Sequence, residues 1–206
     1  MSAPTILEPQ DPTRDAAFKQ ALHGQTGQTD RSFLNPIYKD KHTLKLAVNE
    51  YCKHWDNKVA EDETALDRDA RRKDYATLTR HYYDLATDLY EYGWSQSFHS
   101  CRFTPGEPLK QARARHEHYL ALKMGLQPNQ LILDVGCGVG GTAQEIAKFT
   151  GCNIVGLNNN DYQIDYPDTS FDGVYAIEAT VHAPSLEGVY SEIFRGLKPG
   201  VCVRSV

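Results

Sequence analysis

Three things are missing from the sequence, and each absence narrows the field. There is no excess of basic charge: 22 lysines and arginines face 27 aspartates and glutamates, a net charge of -5, and no basic face stands out along the chain. That excludes nucleic acid as the main partner. There is no Cys-x-x-Cys pair; the five cysteines, Cys52, Cys101, Cys137, Cys152 and Cys202, are odd in number and scattered. This pattern excludes a zinc knuckle or a redox dithiol and predicts reduced thiols in a cytoplasmic setting. No apolar run is long enough to cross a bilayer, and the start, with Pro4, Glu8, Pro9, Asp11 and Pro12, has no apolar signal region. The expectation is a soluble chain, or one that rests peripherally on a membrane surface. No metal is expected either. His116-Glu117-His118 invites the idea, but helical neighbours point about 100° apart, so the two histidines do not easily share one ion.

What is present reads as one domain plus an extension. Residues 1–30, rich in Pro, Gln, Gly, Thr and Asp, predict a poorly ordered arm. Residues 31–125 read as a helical region. Leu44, Ala47, Val48 and Tyr51 fall at helical spacing, and the charged stretch 56–73, with Asp67 and Asp69 four residues before Arg71 and Lys73, reads as a solvated helix face. Residues 82–103 stand apart. Tyr82, Tyr83, Tyr90, Tyr92 and Trp94 are packed among Asp84, Asp88 and Glu91, with Phe98 and His99 close behind. Such rings singly belong to a core; as a group they suit a greasy, acid-dotted pocket for a large apolar ligand that turns cationic during reaction. Gly106 to Met124 predicts a helix with Ala112, Arg115, Tyr119, Leu120 and Leu122 as its apolar or stacking positions.

Residues 126–206 carry the organising stretch. Leu131-Ile132-Leu133-Asp134-Val135 reads as a buried parallel strand that runs into Gly136-Cys137-Gly138-Val139-Gly140-Gly141, and Thr142 with Glu145 reads as a capping box opening a helix. A strand, a bare turn and a helix N-terminus bring exposed amides to one point, as nucleotide-like ligands require. The pattern Gly-x-Gly-x-x-Gly alone also fits a dinucleotide site. Asp134 separates the two: at the strand tip it repels a pyrophosphate but attracts the amino group and sulfonium of S-adenosylmethionine. Asn158, leaving the next strand (152–157), replaces the usual acidic ribose ligand with an amide. Phe171 to Glu178 is a third strand, and Glu178 and His182 at its exit are candidate proton acceptors. Leu186, Val189, Tyr190, Ile193, Phe194 and Leu197 form an amphipathic stripe, and Val201 to Val203 begins a last strand. The fold class expected is α/β, a doubly wound Rossmann-like methyltransferase sheet, incomplete, with a helical N-terminal extension.

Six segments together closely resemble the sterol C-24 methyltransferases of fungi and plants: Tyr90-Glu91-Tyr92-Gly93-Trp94, Ser97-Phe98-His99, Ala114 to Leu120, Leu133 to Gly141, Leu157 to Gln163, and Ile177-Glu178-Ala179-Thr180-Val181-His182-Ala183-Pro184. The likeness covers about Tyr82 to Gly200. It implies that Asp134, Gly136, Cys137, Gly138, Gly140 and Asn158 hold S-adenosylmethionine. It implies that Tyr90, Tyr92, Trp94, Phe98 and His99 face a sterol, the aromatic rings steadying a side-chain carbocation. Glu178, His182, Glu91 and Tyr90 are then the residues placed to orient that cation or take its proton. It also implies a cytoplasmic enzyme, with the endoplasmic reticulum surface and a second copy of the chain as further contacts. Three departures stand against the pattern. Ser95 and Ser100 replace a glycine and an aromatic, and Val201 replaces the second glycine of a Lys-Pro-Gly-Gly turn. Between Asn158 and Phe171 the family's helix, extra strand and adenine-covering loop have no counterpart, and its C-terminal sterol-binding region does not follow Val206. The expectation is a shortened form with weak cofactor binding, little turnover and poor solubility. Two other readings stay open: a non-catalytic fragment that holds sterol or pairs with a full-length subunit, and a methyltransferase for another apolar acceptor.

Overall fold

The computed structural model describes residues 45, 48, 49, 51–53, 55, 63–158 and 164–205. The arm predicted over residues 1–30 and most of the helix predicted over 44–55 lie outside the described residues, as do Asn159 to Gln163. The chain divides into two compact units, one over Glu8–Tyr92 and one that begins at Gly93 and runs to Val206. In the first, α1 (Ala65–Lys73) starts on a capping box in which Thr64 and Asp67 satisfy each other's backbone donors. Arg71 pairs with Glu63, and Arg72 lies 3.9 Å from Asp69, so this is the solvated face its composition predicts. α2 (Tyr75–Gly93) carries the tyrosine-rich segment.

The second unit holds a four-stranded, wholly parallel sheet of β1 (Leu131–Val135), β2 (Asn153–Leu157), β3 (Phe171–Ala176) and β4 (Leu197–Ser205), in the order β2-β1-β3-β4. Side chains alternate across its two faces. Leu133, Val135, Val174 and Ala176 meet Val189 and Ile193 of α5 (Leu186–Gly196) on one side. Ile132 and Tyr175 meet Leu120 and Ala121 of α3 (Leu109–Met124) and Ile146 of α4 (Gly141–Thr150) on the other. Gly125 and Gly151 end α3 and α4 in the left-handed conformation.

β1 and β3 are buried nearly throughout, while β2 is half-buried or exposed along its length. Among the described residues β2 pairs with β1 alone. The connection from β2 to β3 has thirteen residues, 158–170, and those described form no helix or strand. Arg195 of α5 ties that connection down: its guanidinium donates to Ile164 O at 2.7 Å, Tyr166 O at 2.9 Å and Asp168 Oδ1 at 2.7 Å. Ile164 is thereby buried in the core.

Two expectations about faces are corrected. On α3 the buried positions are Ala112, Arg113, Glu117, Leu120 and Ala121, whereas Tyr119 and Leu122 are exposed and Arg115 turns outward to Glu107. The helix buries two charged residues, Glu117 with bonds to His99 and Thr142 and, among the described residues, Arg113 with bonds from Nη1 alone, a cost and a compensation that hydrophobic spacing does not report. On α5 the predicted stripe is covered only in part: Val189 and Ile193 are buried, but Phe194 is 81% exposed.

Candidate active site

β1 leads into a turn whose glycines are required by geometry. Gly136, Gly138 and Gly140 have φ of 82°, 55° and 87°, in the left-handed region. A Cβ on Gly136 would collide with Ala179, and one on Gly141 with the Gln96 carbonyl. Gly136 and Cys137 N–H donate to Leu157 O at 2.7 and 3.0 Å, and Gly141 N–H donates to Gln96 O at 3.2 Å. Asn158 Nδ2 donates to Gly138 O at 3.0 Å and closes the turn against β2. The capping box expected of Thr142 and Glu145 does not form. Gly140 is the N-cap of α4 with no side-chain bond, Thr142 donates to Glu117 at 3.3 Å, and Glu145 pairs with His118 at 3.0 Å. Side chains from a neighbouring helix offered better partners than the local turn.

Asp134 is 3% exposed and accepts a 2.9 Å hydrogen bond from the Tyr175 hydroxyl. Burial pushes its carboxyl up to about 7, with Glu117 adding to the rise and the Tyr175 bond opposing it. The Tyr175 hydroxyl is held well above its ordinary range by burial and by Asp134. Burial also pushes the Cys137 thiol up to about 11, so it stays protonated.

The segment Trp94 to Ser100, in extended and bent backbone, crosses this turn as a strap. Beyond the Gln96 bond, the Phe98 ring lies over Gly138, 3.4 Å from where a Cβ would stand. Two residues of α3, one helical turn apart, hold it. Arg113 Nη1 donates to Trp94 O at 2.6 Å and to Ser95 Oγ at 2.5 Å. Glu117, 2% exposed, accepts from His99 Nε2 at 2.9 Å and is also bonded by the Ser97 and Thr142 hydroxyls. From the far side, Glu178 accepts the Ser100 N–H at 3.1 Å. Glu178 has φ of 52°, a strained value for a non-glycine residue. His182 ends a 3₁₀ turn (Thr180–His182), and burial holds its imidazole below the usual range and therefore neutral at pH 7.

The structure thus brings Gly136, Gly138, Asn158, Phe98, His99 and Glu178 to one turn. Trp94 stands at the strap's exposed entrance. His99, within the strap, has its ring buried, with both ring nitrogens taken by Glu117 and by Ser100 O at 2.9 Å. That arrangement suits support of the strap better than contact with a ligand. Tyr90, Glu91 and Tyr92 lie on the last turns of α2 in the first unit, where the Tyr90 and Tyr82 hydroxyls are 3.0 Å apart. Arg113, Glu117, Thr142 and Arg195 were not among the predicted site residues. One signal was available: Glu117 sits between two histidines in a segment carrying the family resemblance.

A parallel sheet with a glycine turn after its first strand, sealed by a segment from outside the sheet, defines a Rossmann-like methyltransferase domain. Solved structures share that fold: the cyclase SpnF at TM-score 0.56 and 21% identity, covering 63% of this chain and 59% of that one, and Haemonchus contortus phosphoethanolamine N-methyltransferase 2 at TM-score 0.52 and 19%, covering 64% and 35%. Residues 69–181, over half the chain, match the family described as mycolic acid cyclopropane synthetase, and the chain belongs to that family. The sterol resemblance is borne out as well. The sterol 24-C-methyltransferase erg6 of Aspergillus fumigatus is 58% identical over 224 residues, covering 96% of this chain and 59% of the relative. The Yarrowia lipolytica sterol 24-C-methyltransferase is 50% identical, with coverage of 97% and 59%. The chain therefore spans about three fifths of the length of these relatives. Within the Aspergillus match the relative fills roughly two dozen positions that this chain does not, about what a crossover helix and a strand need.

Proposed function

We propose that this chain carries the donor turn and part of the acceptor wall of a sterol C-24 methyltransferase, and that its hold on the donor is weak. One observation carries the reading. Ala179 packs on Gly136 while its neighbour Glu178 holds the strap, so the segment implied to face the sterol and the turn implied to face S-adenosylmethionine are built as one object. The residues present fit one end of that cofactor. Asp134 lies beneath a turn of left-handed glycines, and the N–H groups of Gly138 and Val139 have no protein acceptor among the described residues. At the other end the fit is poor, since Asn158 spends its amide nitrogen on Gly138 and, among the described residues, β2 has β1 as its one strand neighbour and none on the side that would wall off an adenine.

S-adenosylmethionine, when bound, supplies a methyl group on a sulfonium. The chain's share is alignment of a side-chain alkene along the transfer axis, more than base catalysis. Trp94 and Phe98 offer aromatic faces to the cation left on the acceptor. His182, neutral at pH 7, is competent to take the proton that must then leave, whereas the Glu178 carboxylate is engaged with the Ser100 amide. The test is transfer of a labelled methyl group to a sterol with an unsaturated side chain, beside calorimetry of donor binding. Slow transfer and an affinity weaker than about 0.1 mM are expected. Micromolar affinity would sink the account of the missing wall, and transfer to a non-sterol acceptor alone would sink the sterol assignment. The open edge of β2 favours a second reading, a non-catalytic partner that pairs with a complete subunit. Sedimentation that leaves the chain monomeric beside a full-length enzyme would count against it.

A further inference from the structure

We propose that His99 and Glu117 form a proton-dependent latch that keeps the Trp94–Ser100 strap closed over the glycine turn, with Glu117 as its positioning residue. His99 Nδ1 lies 2.9 Å from the Ser100 carbonyl and Nε2 lies 2.9 Å from Glu117 Oε1. A carbonyl and a carboxylate only accept, so both bonds exist together only when both ring nitrogens carry hydrogen, that is, in the imidazolium. A neutral ring keeps one bond and turns a lone pair toward the other acceptor, in a place where water does not compensate. His99 and Glu117 are 4% and 2% exposed.

Every element packed around the ring contributes to its charge environment. From α3 come Glu117, the His116 ring with its centroid 5.1 Å away, and Arg113, whose cation disfavours the imidazolium. From β1 comes Asp134, which interacts with both His99 and Glu117. From α4 comes the uncharged Thr142 hydroxyl, and from the exit of β3 comes Glu178, which binds the strap at Ser100. Burial alone would push His99 down, but the bonds to Glu117 and Ser100 carry it above its ordinary value; the same bond, with those from Ser97 and Thr142, draws Glu117 below its own. His116 is held low by burial and by His99, so it stays neutral where His99 is charged. Asp134 titrates near 7 and gains a negative charge as pH rises, which opposes opening and makes an Asp134→Asn variant the necessary control.

What the latch shuts is concrete. Gln96 O takes the Gly141 N–H at the first turn of α4, and Phe98 lies over Gly138. A ligand that uses the turn's amides meets the strap first. The latch is defined without reference to methyl transfer, so a chain with no transferase activity can still have it. The experiment is amide hydrogen exchange with proton NMR of the His99 ring, on the whole chain without ligands, from pH 5 to 9. Protection factors at Gly141 and Ser100 are expected to hold through the imidazolium range and to fall at least tenfold as His99 deprotonates, while Leu133 and Val174 in the sheet stay protected. Glu117→Gln is expected to drop the His99 pKa below 6.5 and to remove the protection at Gly141 and Ser100 at every pH. Asp134→Asn is expected to leave the transition in place, displaced to lower pH. Should Glu117→Gln fail to fold, the wild-type profile decides. Protection at Gly141 and Ser100 that does not change from pH 5 to 9, or that survives Glu117→Gln with its pH dependence intact, overturns the latch.

Discussion

Asp134 is a carboxyl group kept where water scarcely reaches it, and the rise from 3.8 to about 7 measures what that placement costs. At 1.36 kcal/mol per unit the ionised form is destabilised by up to about 4 kcal/mol. The folded state holds a proton there that the unfolded state has already released, so stability falls as pH rises from about 4 to about 7. Asp134→Asn is accordingly expected to raise Tm at pH 8 and to change little at pH 4 in calorimetric scans, while abolishing donor binding. His99 acts in the same direction. Its folded pKa lies above the unfolded value, so its contribution is fully present below about 6.5 and is lost as pH rises through the folded value. Glu117 acts oppositely, contributing above its unfolded value and losing that as pH falls through its lowered one. Together they place maximum stability well on the acid side of neutrality, near the unfolded values of the two carboxyls at about pH 4 to 4.5, with a decline from there towards pH 7; a Tm profile that peaks above pH 7 would contradict this. Gly141 is tested more simply. Gly141→Ala puts a methyl group into the Gln96 backbone, and overpacking of this kind costs about 1–3 kcal/mol, read in denaturant melts together with exposure of Trp94 to quencher.

Among the elements, the strap shows how a departure from a family pattern is absorbed. Ser95 stands where the family resemblance implies a glycine and has φ of 142°, a region that disfavours side chains. Its hydroxyl accepts from Arg113, an offset that glycine lacks. β1, α4, β3 and α5 were legible from apolar runs, glycines and helical spacing, because each buries a contiguous or periodic set of side chains. The inner face of α3 was not legible. Arg113 and Glu117 break the apolar pattern there, and their partners, those of Glu117 and of Arg113 Nη1, come from the strap and α4, distant in sequence. α5 shows the converse. Phe194 continues the stripe but finds no cover among the described residues. Phe194→Glu is therefore expected to change stability by less than about 0.5 kcal/mol while lowering self-association measured by light scattering.

For the whole molecule, the decisive feature is the short route from β2 to β3. Arg195 and Ile164 stitch it closed, but among the described residues β2 is an edge strand, paired with β1 on one side only. Insertion after Asn158 of roughly two dozen residues, enough for a crossover helix and a strand, is expected to tighten donor binding at least tenfold and to protect β2 amides from exchange. If neither changes, the missing wall is not what limits this chain. Residues adjacent in the chain, or a simple count of them, sufficed to read the strand, turn and helix of the donor site, the kind of cation that Asp134 suits, and the short route from β2 to β3. Contacts made by folding were needed to see that the Asp134 carboxyl is pushed up to about 7, that His99 ties the strap down, and that Glu117 gathers Ser97, His99 and Thr142. Charge and hydrogen bonding inside a protein are set by neighbours in space, and these come together from segments up to dozens of residues apart.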